Sequence, residues 1–405
     1  MWQYEKLPKG WSMKKIGEYA SVITDYVANG SFAALAENVN YKTEPDYAVL
    51  IRLTDYNRNF SDNFVYIDEH AYEFLSKSKL YGNEIIISNV GANVGTVFKC
   101  PKLQKRMSLA PNAIMLKTKG NDDFYYYWFK SRNGQHSLQS IITGSAQPKF
   151  NKTNFKELLV PVPPLEVQEK IAEYLCDIDK KIELNKQINE NLDQQAQAIF
   201  VQEFLSQSSI PDDWKEGSLL DIADYLNGLA MQKFRPADNE IGLPVLKIKE
   251  LRQGSCDSSS EFCSPSIKPK YIIHDGDVIF SWSGSLLVDF WCGGTCGLNQ
   301  HLFKVTSQKY DKWFYYAWTK HHLDHFAAVA ADKATTMGHI KRDELAKAEV
   351  LIPNSADYSR IGSLLQPIYE LIITNRIENK KLVGLRETLL PQLMSGQIDV
   401  SNINL

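Results

Sequence analysis

Residues 171–192 read IAEYLCDIDKKIELNKQINENL, and residues 361–382 read IGSLLQPIYELIITNRIENKKL. The two stretches match without a gap at a constant offset of 190 positions. Their shared apolar positions are Ile171, Leu175, Ile178, Ile182 and Leu192 in the first copy and Ile361, Leu365, Ile368, Ile372 and Leu382 in the second. Steps of four and three are typical of a coiled-coil seam, so the sequence predicts two long helices within an internal repeat.

The two helices begin after prolines, at Pro163-Pro164 in the first copy and at Pro353 in the second. About 40 residues at roughly 1.5 Å each give a helix of about 60 Å. An approximate two-fold axis between the copies predicts antiparallel helices, with Asn185 and Asn375 meeting near that axis. A buried Asn fixes helix register at a cost in stability. The alternative is that both asparagines are solvated where the seam loosens.

The same offset of 190 extends the repeat toward the N-terminus. Tyr125-Tyr126-x-Trp128-x-Lys130 matches Tyr315-Tyr316-x-Trp318-x-Lys320, and Val162-Pro163 matches Ile352-Pro353. Further upstream the offset is 203, where Leu7-Pro8-x-x-Trp11 matches Ile210-Pro211-x-x-Trp214, so loops differ in length between the copies. The order is domain, helix, domain, helix. Exposed aromatic side chains could stack on bases, but strict repetition of these aromatics favours core packing.

Short β-branched and aromatic runs between Gly, Asn and Pro residues predict an α+β fold for each globular part. The predicted strands are Tyr47–Leu53, Glu84–Ser88, Ala113–Leu116, Val245–Ile248 and Asp277–Trp282, and the predicted aromatic helices are Asp123–Lys130 and Lys312–Lys320. We expect domain boundaries at 1–163 for the first globular domain, 164–207 for the first spacer helix, 208–353 for the second globular domain, and 354–405 for the second spacer helix with its tail.

The composition is that of a folded, soluble protein, with 44% hydrophobic and 23% charged residues. Apolar runs are too short to span a bilayer, and the N-terminus lacks a signal-peptide pattern, so a cytoplasmic location is expected. The net charge of −3 is low for a protein that binds nucleic acid alone. Residues 1–160, however, carry 20 Lys and Arg against 15 Asp and Glu. Neutralisation of a phosphate backbone would therefore have to be local or come from a partner.

Motifs for catalysis are missing from the sequence. It contains no phosphate-binding G-x-x-x-x-G-K-[ST] loop, no dinucleotide-binding glycine pattern, no aminomethyltransferase signature and no convincing nuclease cluster. Two zinc hypotheses remain: His321-His322-x-x-His325, and a set made of Cys256, Cys263, Cys292, Cys296 and His301. Neither is repeated in the first copy, so we expect buried thiols and no metal.

The loop Gly144–Phe150 is polar and basic, and its counterpart is Ala334–Ile340. Hydroxyl, amide and cationic groups serve as donors to phosphates and base edges, although an ordinary loop is the alternative. The candidate DNA-binding residues of the first domain are Arg52, Asn57, Arg58, Asn89, Asn93, Lys105, Arg106, Ser145, Gln147 and Lys149. Those of the second domain are Gln232, Lys233, Arg235, Lys249, Arg252, Ser281, Ser283, Thr335, Thr336, His339 and Lys341.

With this layout, the sequence resembles the specificity (S) subunit of Type I restriction–modification enzymes over almost its whole length. The motifs that carry the resemblance are LLVPVPPLEVQ (158–168) with Ile171, the loop Gly144–Phe150, and LRxxLLPQLMSG (385–396). In the second copy, Pro353-Asn354-Ser355-Ala356-Asp357-Tyr358 departs from the Pro-Pro-x-x-x-Gln phrase of the first.

The resemblance implies two target-recognition domains joined by two long antiparallel helices that form a coiled coil with a pseudo-two-fold internal repeat. Each domain would read half of an asymmetric bipartite DNA site through the major groove, with half-sites about one helical turn apart. The helices would space the domains and dock two modification (methyltransferase) subunits, together with restriction subunits. The chain itself would be non-catalytic and hold no cofactor, and S-adenosylmethionine, Mg and ATP are expected on the partners.

Two other functions stay open at this point. One is a stand-alone pseudo-dimeric DNA-binding regulator, which would bind specifically without partners. The other is a zinc-dependent hydrolase, which would hold stoichiometric zinc.

Overall fold

The structure is a computed structural model that describes residues 7–206, 209–332, 340 and 342–400. It divides the chain into two compact units. Unit 1 contains the residues up to Asp179 and those from Gly384 onward, and unit 2 contains Lys180–Val383. Each unit therefore combines one globular domain with parts of both long helices. Within the described ranges, none of the helices is both long and apolar enough to cross a membrane.

The globular part of unit 1 contains ten strands and seven short helices in the described residues. The strands β1–β10 are Ser12–Lys15, Ala20–Asp25, Ala48–Ile51, Val65–Ile67, Lys79–Leu80, Ile85–Ser88, Val97–Lys99, Arg106–Leu109, Ala113–Thr118 and Leu159–Val162. The helices α1–α7 are Ile16–Tyr19, Phe32–Asn38, Leu53–Tyr56, Glu69–Phe74, Asp122–Lys130, Arg132–Ser140 and Lys152–Lys156, with 3₁₀ turns at Tyr26–Asn29 and Ser76–Ser78.

These strands form two four-stranded sheets and one two-stranded ribbon. The sheet orders are β2-β9-β6-β7 and β4-β3-β8-β5, and β1 pairs with β10. All pairs are antiparallel except β3 with β8. The run Ile85-Ile86-Ile87 is buried on both faces, because Ile86 packs between the two sheets and its neighbours pack against the helices. A continuous apolar run is the expected pattern for such a doubly covered strand.

In the described residues, the globular part of unit 2 repeats the ten strands of unit 1 but contains five short helices where unit 1 has seven. The strands β11–β20 are Lys215–Ser218, Asp224–Asn227, Leu243–Leu246, Phe262–Cys263, Ile272–Ile273, Val278–Ser281, Leu287–Phe290, Cys296–Leu298, Leu302–Thr306 and Glu349–Ile352. The short helices are Leu219–Ile222, Ile248–Gln253, Lys312–His321, Leu323–Asp332 and Arg342–Lys347, with 3₁₀ turns at Met231–Lys233 and Pro269–Tyr271.

Sheet topology in unit 2 is the same as in unit 1. Its orders are β12-β19-β16-β17 and β14-β13-β18-β15, β11 pairs with β20, and the single parallel pair is β13 with β18. Every strand of unit 1 thus has its counterpart ten strands later. The repeat inferred from a 190-residue offset is confirmed as a repeat of fold.

The two long helices are Leu165–Phe200, continued by a π-helical turn at Val201–Leu205, and Ser355–Ser395. The fully buried Gln168 secures the start of the first. Its side chain accepts from the Asn121 backbone N–H at 3.0 Å and donates to the Pro163 carbonyl at 2.8 Å. At the second helix, the Asn354 side chain accepts from the Asp357 backbone N–H at 2.8 Å. A local N-cap therefore replaces the glutamine contact where the sequence departs from the Pro-Pro-x-x-x-Gln phrase.

The repeated aromatic residues form core in both units. Phe124, Tyr125, Tyr127, Trp128 and Phe129 are buried against the sheet and the first long helix in unit 1. Their unit 2 counterparts are buried in the equivalent cluster, next to Ala196, Phe200 and Phe204. The prediction of core packing is confirmed, and base stacking by this stretch is excluded by its burial.

The predicted strands and aromatic helices match the observed ones to within two residues. Val245–Ile248 is displaced by two residues at both ends, because the observed strand is Leu243–Leu246 and a helix begins at Ile248. The helix begins there because the Glu250 carboxylate accepts from the Lys247 backbone N–H at 3.2 Å, which caps its first turn.

The structure distributes the cysteines of unit 2 over three apolar clusters. Cys292 belongs to the cluster with the long helices, Cys256 and Cys296 to the cluster between the sheets, and Cys263 to a third cluster with Met231. Burial raises the pKa of Cys256 and of Cys292 to about 11. His322 Nε2 lies 2.8 Å from the Glu349 carbonyl. Over the described ranges, no group of three His, Cys, Asp or Glu side chains could hold a metal ion.

Candidate nucleic-acid interface

One end of the sheets in unit 1 gathers several of the predicted DNA-binding residues. β6 ends at Ser88 opposite Ala113, the first residue of β9. Just beyond this pair, the Asn89 backbone N–H donates to the Asn112 carbonyl at 3.1 Å, and Val90 bridges to Lys149. We call this set, Asn89–Gly95 with Asn112 and the loop 143–149, edge 1.

The loop 143–149 is held in a closed hairpin. Thr143 and Lys149 exchange two backbone hydrogen bonds of 2.9 Å, and the Gly91 N–H donates to the Pro148 carbonyl at 2.9 Å. Gly144 has a φ of +87°, and a Cβ there would lie 2.9 Å from the Gln147 carbonyl, so only glycine fits this turn. Ser145, Gln147 and Lys149 are consequently exposed on a fixed backbone.

Edge 1 therefore brings together five of the predicted residues. They are Asn89, Asn93, Ser145, Gln147 and Lys149. All are exposed except Asn89, which is half-buried and donates its Nδ2 proton to the Phe150 carbonyl at 3.2 Å. Its Oδ1 is buried and makes no hydrogen bond to any described group. A buried acceptor without a donor is unfavourable, so this oxygen marks a position where a donor group would be stabilising.

Arg52, Asn57 and Arg58 lie near the same end of the fold, because the Ala110 N–H donates to the carbonyl of Ile51 at 3.1 Å. Asn57 and Arg58 are exposed. Arg52 is different, because its guanidinium binds the buried Asp55 carboxylate and the Asn63 carbonyl. Its Nε and Nη2 donors are occupied within the protein, so Arg52 orders this turn.

Lys105 and Arg106 lie at the opposite end of the parallel strand pair. Arg106 pairs with Ala48, whereas the other end of the pair is Leu109 with Ile51. Lys105 Nζ lies 5.1 Å from the centre of the Tyr66 ring, and the Arg106 guanidinium 4.3 Å from that of Tyr47. The structure thus separates these two cations from edge 1.

The sequence patterns did not indicate an apolar cleft of about 500 Å³ that lies beside edge 1. Its walls include Tyr26, Val27, Phe32 and Tyr41, and Asn89 and Asn112 also line it. Helical periodicity places Phe32 on the same face as the buried Leu35, yet Phe32 is 82% exposed. The residues alone contain no signal for this exposure.

Unit 2 repeats the backbone hydrogen bond that joins the end of the loop to the residue after the strand in edge 1. The Ile340 N–H donates to the Trp282 carbonyl at 3.0 Å, just as the Phe150 N–H donates to the Asn89 carbonyl at 3.0 Å. Ser281, predicted as a DNA contact, is fully buried, and its hydroxyl donates to the Ser285 carbonyl at 3.0 Å. Ser283 is also buried, 3.3 Å from His301 Nδ1. The strand end turns both hydroxyls inward, so neither can contact DNA in this conformation.

The other predicted residues of the second domain lie on its surface. Gln232, Lys233 and Arg252 are exposed. Arg235 pairs with Glu261 at 3.2 Å and Lys249 with Asp257 at 3.3 Å, so part of their charge is compensated within the domain. Thr335, Thr336, His339 and Lys341 lie outside the described residues.

Asn185 and Asn375 were predicted to meet each other, but in the structure each bonds a different asparagine of the opposite helix. Asn185 Nδ2 donates to Asn379 Oδ1 at 2.9 Å, and Asn375 Nδ2 donates to Asn189 Oδ1 at 2.9 Å. Asn375 and Asn379 are the repeat counterparts of Asn185 and Asn189, at the offset of 190. Direct pairing of Asn185 with Asn375 was therefore the wrong geometry, because the antiparallel stagger places each opposite a residue one turn further along.

The asparagines of these two pairs are buried, and they form further hydrogen bonds to a carboxylate and to backbone carbonyls. Asn185 is 1% exposed and Asn375 7% exposed, which contradicts the solvated alternative. Asn185 also donates to Glu378 at 2.6 Å, and this bond lowers the pKa of the Glu378 carboxyl. Hydrogen bonds join Asn189 to the Ile372 carbonyl at 3.4 Å and Asn379 to the Ile182 carbonyl at 3.2 Å. The four asparagines thus form two equivalent hydrogen-bonded pairs between the antiparallel helices of unit 2, and we call these two pairs together the four-asparagine network.

A family model and two similar proteins point to the same family. The family model described as "Type I restriction modification DNA specificity domain" matches residues 8–194 and 211–383. The Type I restriction enzyme MjaIX specificity subunit of Methanocaldococcus jannaschii is 24% identical, over 98% of this chain and 96% of the relative. The MjaVIII specificity subunit of the same organism is 23% identical, over 98% and 95%.

A solved structure supports the same fold. The S subunit of the Type I restriction–modification system from M. genitalium superposes with a TM-score of 0.59 at 13% identity, covering 97% of this chain and 98% of that one. At this identity the likeness bears on the fold alone.

Proposed function

We propose a detailed function for this chain from one premise: it belongs to the family of Type I restriction modification DNA specificity domains. The two matched regions together span most of the chain. Its general role is therefore DNA target recognition as the specificity subunit of a Type I restriction–modification system. Beyond that role, we propose the form of the target, the residues that read it and the partners.

The target that we propose is an asymmetric, two-part DNA site, with one half read by each globular domain. The observation that carries this proposal is that one topology occurs twice with different side chains at equivalent positions. Asn89 in the first domain corresponds to Trp282 in the second, and the same backbone hydrogen bond attaches the following loop to each. Two domains with the same topology but different side chains at equivalent positions favour two different half-sites, because DNA sequence is read by side chains that contact base edges.

For the first domain we propose edge 1 as the reading surface. Ser145 and Gln147 would contact base edges, and Lys149 and Arg58 would contact bases or phosphates. These four are exposed, and the backbone of the closed hairpin fixes the first three. We keep Asn57, Asn89 and Asn93 in the surface and leave Arg52, Lys105 and Arg106 outside it.

For the second domain we propose Gln232, Lys233, Arg235, Lys249 and Arg252 as surface contacts. Ser281 and Ser283 are left out because of their burial. Phosphate contacts by such cations fix position on the duplex without reading sequence.

Catalysis and cofactors belong, in this proposal, to partner subunits. Two modification subunits with S-adenosylmethionine would methylate adenine, and restriction subunits would use ATP and Mg. The net charge of −3 supports dependence on partners, because it is low for a chain that binds DNA unaided.

The four-asparagine network supports a role for the long helices in fixing register. Apolar seam residues tolerate sliding by a turn, whereas displaced asparagines would leave buried amides without partners. We propose that this network sets the unread gap between the half-sites.

The test is to express the chain with its cognate modification subunits and sequence the methylated genome. Two unlike half-sites with a constant gap would support the proposal. A single continuous or palindromic motif would contradict it. Specific DNA binding by the purified chain without any methyltransferase would instead favour a stand-alone regulator.

A further inference from the structure

The apolar cleft beside edge 1 is an unusual surface for a folded domain. Three of its lining residues are exposed: Phe32 to 82%, Tyr41 to 56% and Val27 to 43%. Contiguous exposed apolar side chains of this kind mark interaction sites, whereas isolated ones need no explanation. The three belong to one cleft of about 500 Å³.

Part of the cleft lining also belongs to the proposed reading surface. Asn89 and Asn112 line the cleft, and the backbone hydrogen bond of 3.1 Å between them lies at the strand ends that define edge 1. A ligand bound at edge 1 would therefore contact both the aromatic side chains of the cleft and these amides. This continuity argues for the same occupant, double-stranded DNA.

Electrostatics in the cleft are compatible with a polyanion. Among the described residues, Asp25 is the one carboxylate that lines the cleft, and it pairs with Lys152 at 2.8 Å. Tyr26 and Tyr41 contribute hydroxyl groups that hydrogen bond to each other at 3.3 Å. The acid at this site is thus compensated, and the other lining groups are apolar side chains, amides and tyrosine hydroxyls.

We propose that this cleft receives the C5-methyl group of a thymine in the first half-site and that Phe32 is a specificity-determining residue. Among the base edges in the major groove, the thymine methyl is the one apolar group, and phenylalanine is among the side chains that contact it. The inference rests on the proposed DNA recognition and names a base-edge feature for it. The neighbouring amides of edge 1 would contact the polar edges of adjacent bases.

The test uses the full chain in complex with its modification subunits and a duplex carrying the methylated motif. Each thymine of the first half-site is replaced in turn by deoxyuridine, which lacks only the methyl group. We expect one replacement to weaken binding about fourfold, the equivalent of one buried methyl group. In Phe32→Ala, thymine and uracil at that position should bind alike.

Tyr81→Ala is the matched control, because Tyr81 is 76% exposed but does not line the cleft. It should keep the uracil penalty of the wild type. Phe32 is so exposed that its removal should leave the melting temperature unchanged, which separates a recognition defect from unfolding.

Several outcomes would overturn the inference. They are a first half-site without thymine, full affinity for every uracil-substituted duplex, or an unchanged uracil penalty in Phe32→Ala. Loss of modification subunits from Phe32→Ala with unchanged DNA preference would assign the cleft to a protein partner. If no complex discriminates its motif from unrelated DNA, the proposed function fails instead, which is a different result from specific binding that is insensitive to the methyl group.

Discussion

Asn185 Nδ2 donates a 2.9 Å hydrogen bond to Asn379 Oδ1, and the repeat reproduces this bond, also at 2.9 Å, between Asn375 and Asn189. Each pair joins one residue to the repeat counterpart of its own neighbour one turn away. Two equivalent polar pairs define a single alignment of the helices in unit 2, because any displacement breaks both at once. Register is thus specified by side-chain amides within an apolar seam.

Replacing Asn185 with Leu should destabilise the protein by about 1–3 kcal/mol, because the polar groups of Asn379 and Glu378 lose a buried partner. Replacing Asn185 and Asn379 together with Leu should recover part of that loss. Urea unfolding measures both. Gln187→Ala, an exposed change on the same helix, is the control. Equal stability of the single variant and the wild type would show that the network does not fix register.

Matched insertions should change the gap between half-sites. Lengthening the first helix near Ala196–Phe200 is unsuitable, because both residues are buried in the core of unit 2. Seven residues inserted between Gln187 and Ile188, and seven between Arg376 and Ile377, keep the seam in phase and add about 10 Å. At 3.4 Å per base pair, the methylated motif should gain about three unread positions.

The control for this experiment is insertion in one helix alone. It displaces the asparagine pairs against each other, so we expect lower stability and weak methylation. If the doubly lengthened protein methylates the original motif, the helices do not set the gap.

Gln147→Ala should alter base preference in the first half-site only. Its side chain is exposed on the closed hairpin of edge 1, whereas Gln104, the matched control, is exposed near Lys105, which lies apart from edge 1. Loss of a base-edge contact costs on the order of 1–3 kcal/mol of discrimination, so the motif should become degenerate at one position. Methylome sequencing reads this directly. A uniform drop in methylation at all positions would contradict direct readout.

Gln168→Ala should destabilise unit 1 by about 2 kcal/mol. The substitution leaves the Asn121 N–H and the Pro163 carbonyl without their partner at a fully buried position. Thermal unfolding is the measurement, and Glu166→Gln, on the exposed side of the same helix turn, is the control. An unchanged melting temperature would show that the proline start alone secures the helix.

Chelation should leave the protein unaffected. Zinc needs several ligands close together, and the described residues contain no group of three His, Cys, Asp or Glu side chains that could hold a metal ion. In the metal-free protein, burial raises the pKa of Cys256 and Cys292 to about 11, so both thiols are protonated at neutral pH. Alkylation of Cys256, the more exposed of the two, should be slow at pH 7 and accelerate about tenfold per pH unit up to pH 10. A melting temperature that falls after dialysis against a chelator would restore the zinc hypothesis.

Local sequence was sufficient to predict the repeat, the α+β composition, the long helices and the burial of the aromatic stretch. The helices, the α+β composition and the aromatic burial depend on periodicity among residues close together in the chain, and the repeat follows from comparing two such stretches 190 positions apart. The family resemblance rested on the same local phrases. Strand ends such as Ile85–Ser88 could therefore be predicted to within two residues.

Long-range packing, in contrast, determines which side chains are exposed and could contact DNA. It also determines which residues of the two long helices lie opposite each other. Ser281 is buried and Phe32 exposed, although their local sequence patterns suggest the reverse, because exposure depends on which distant segments cover a position. The Arg52 guanidinium pairs with the buried Asp55 carboxylate three residues later, so part of its hydrogen-bonding capacity serves its own turn. The stagger of two antiparallel helices is likewise set by the side chains packed between them, which is why Asn185 meets Asn379 and not its own repeat counterpart.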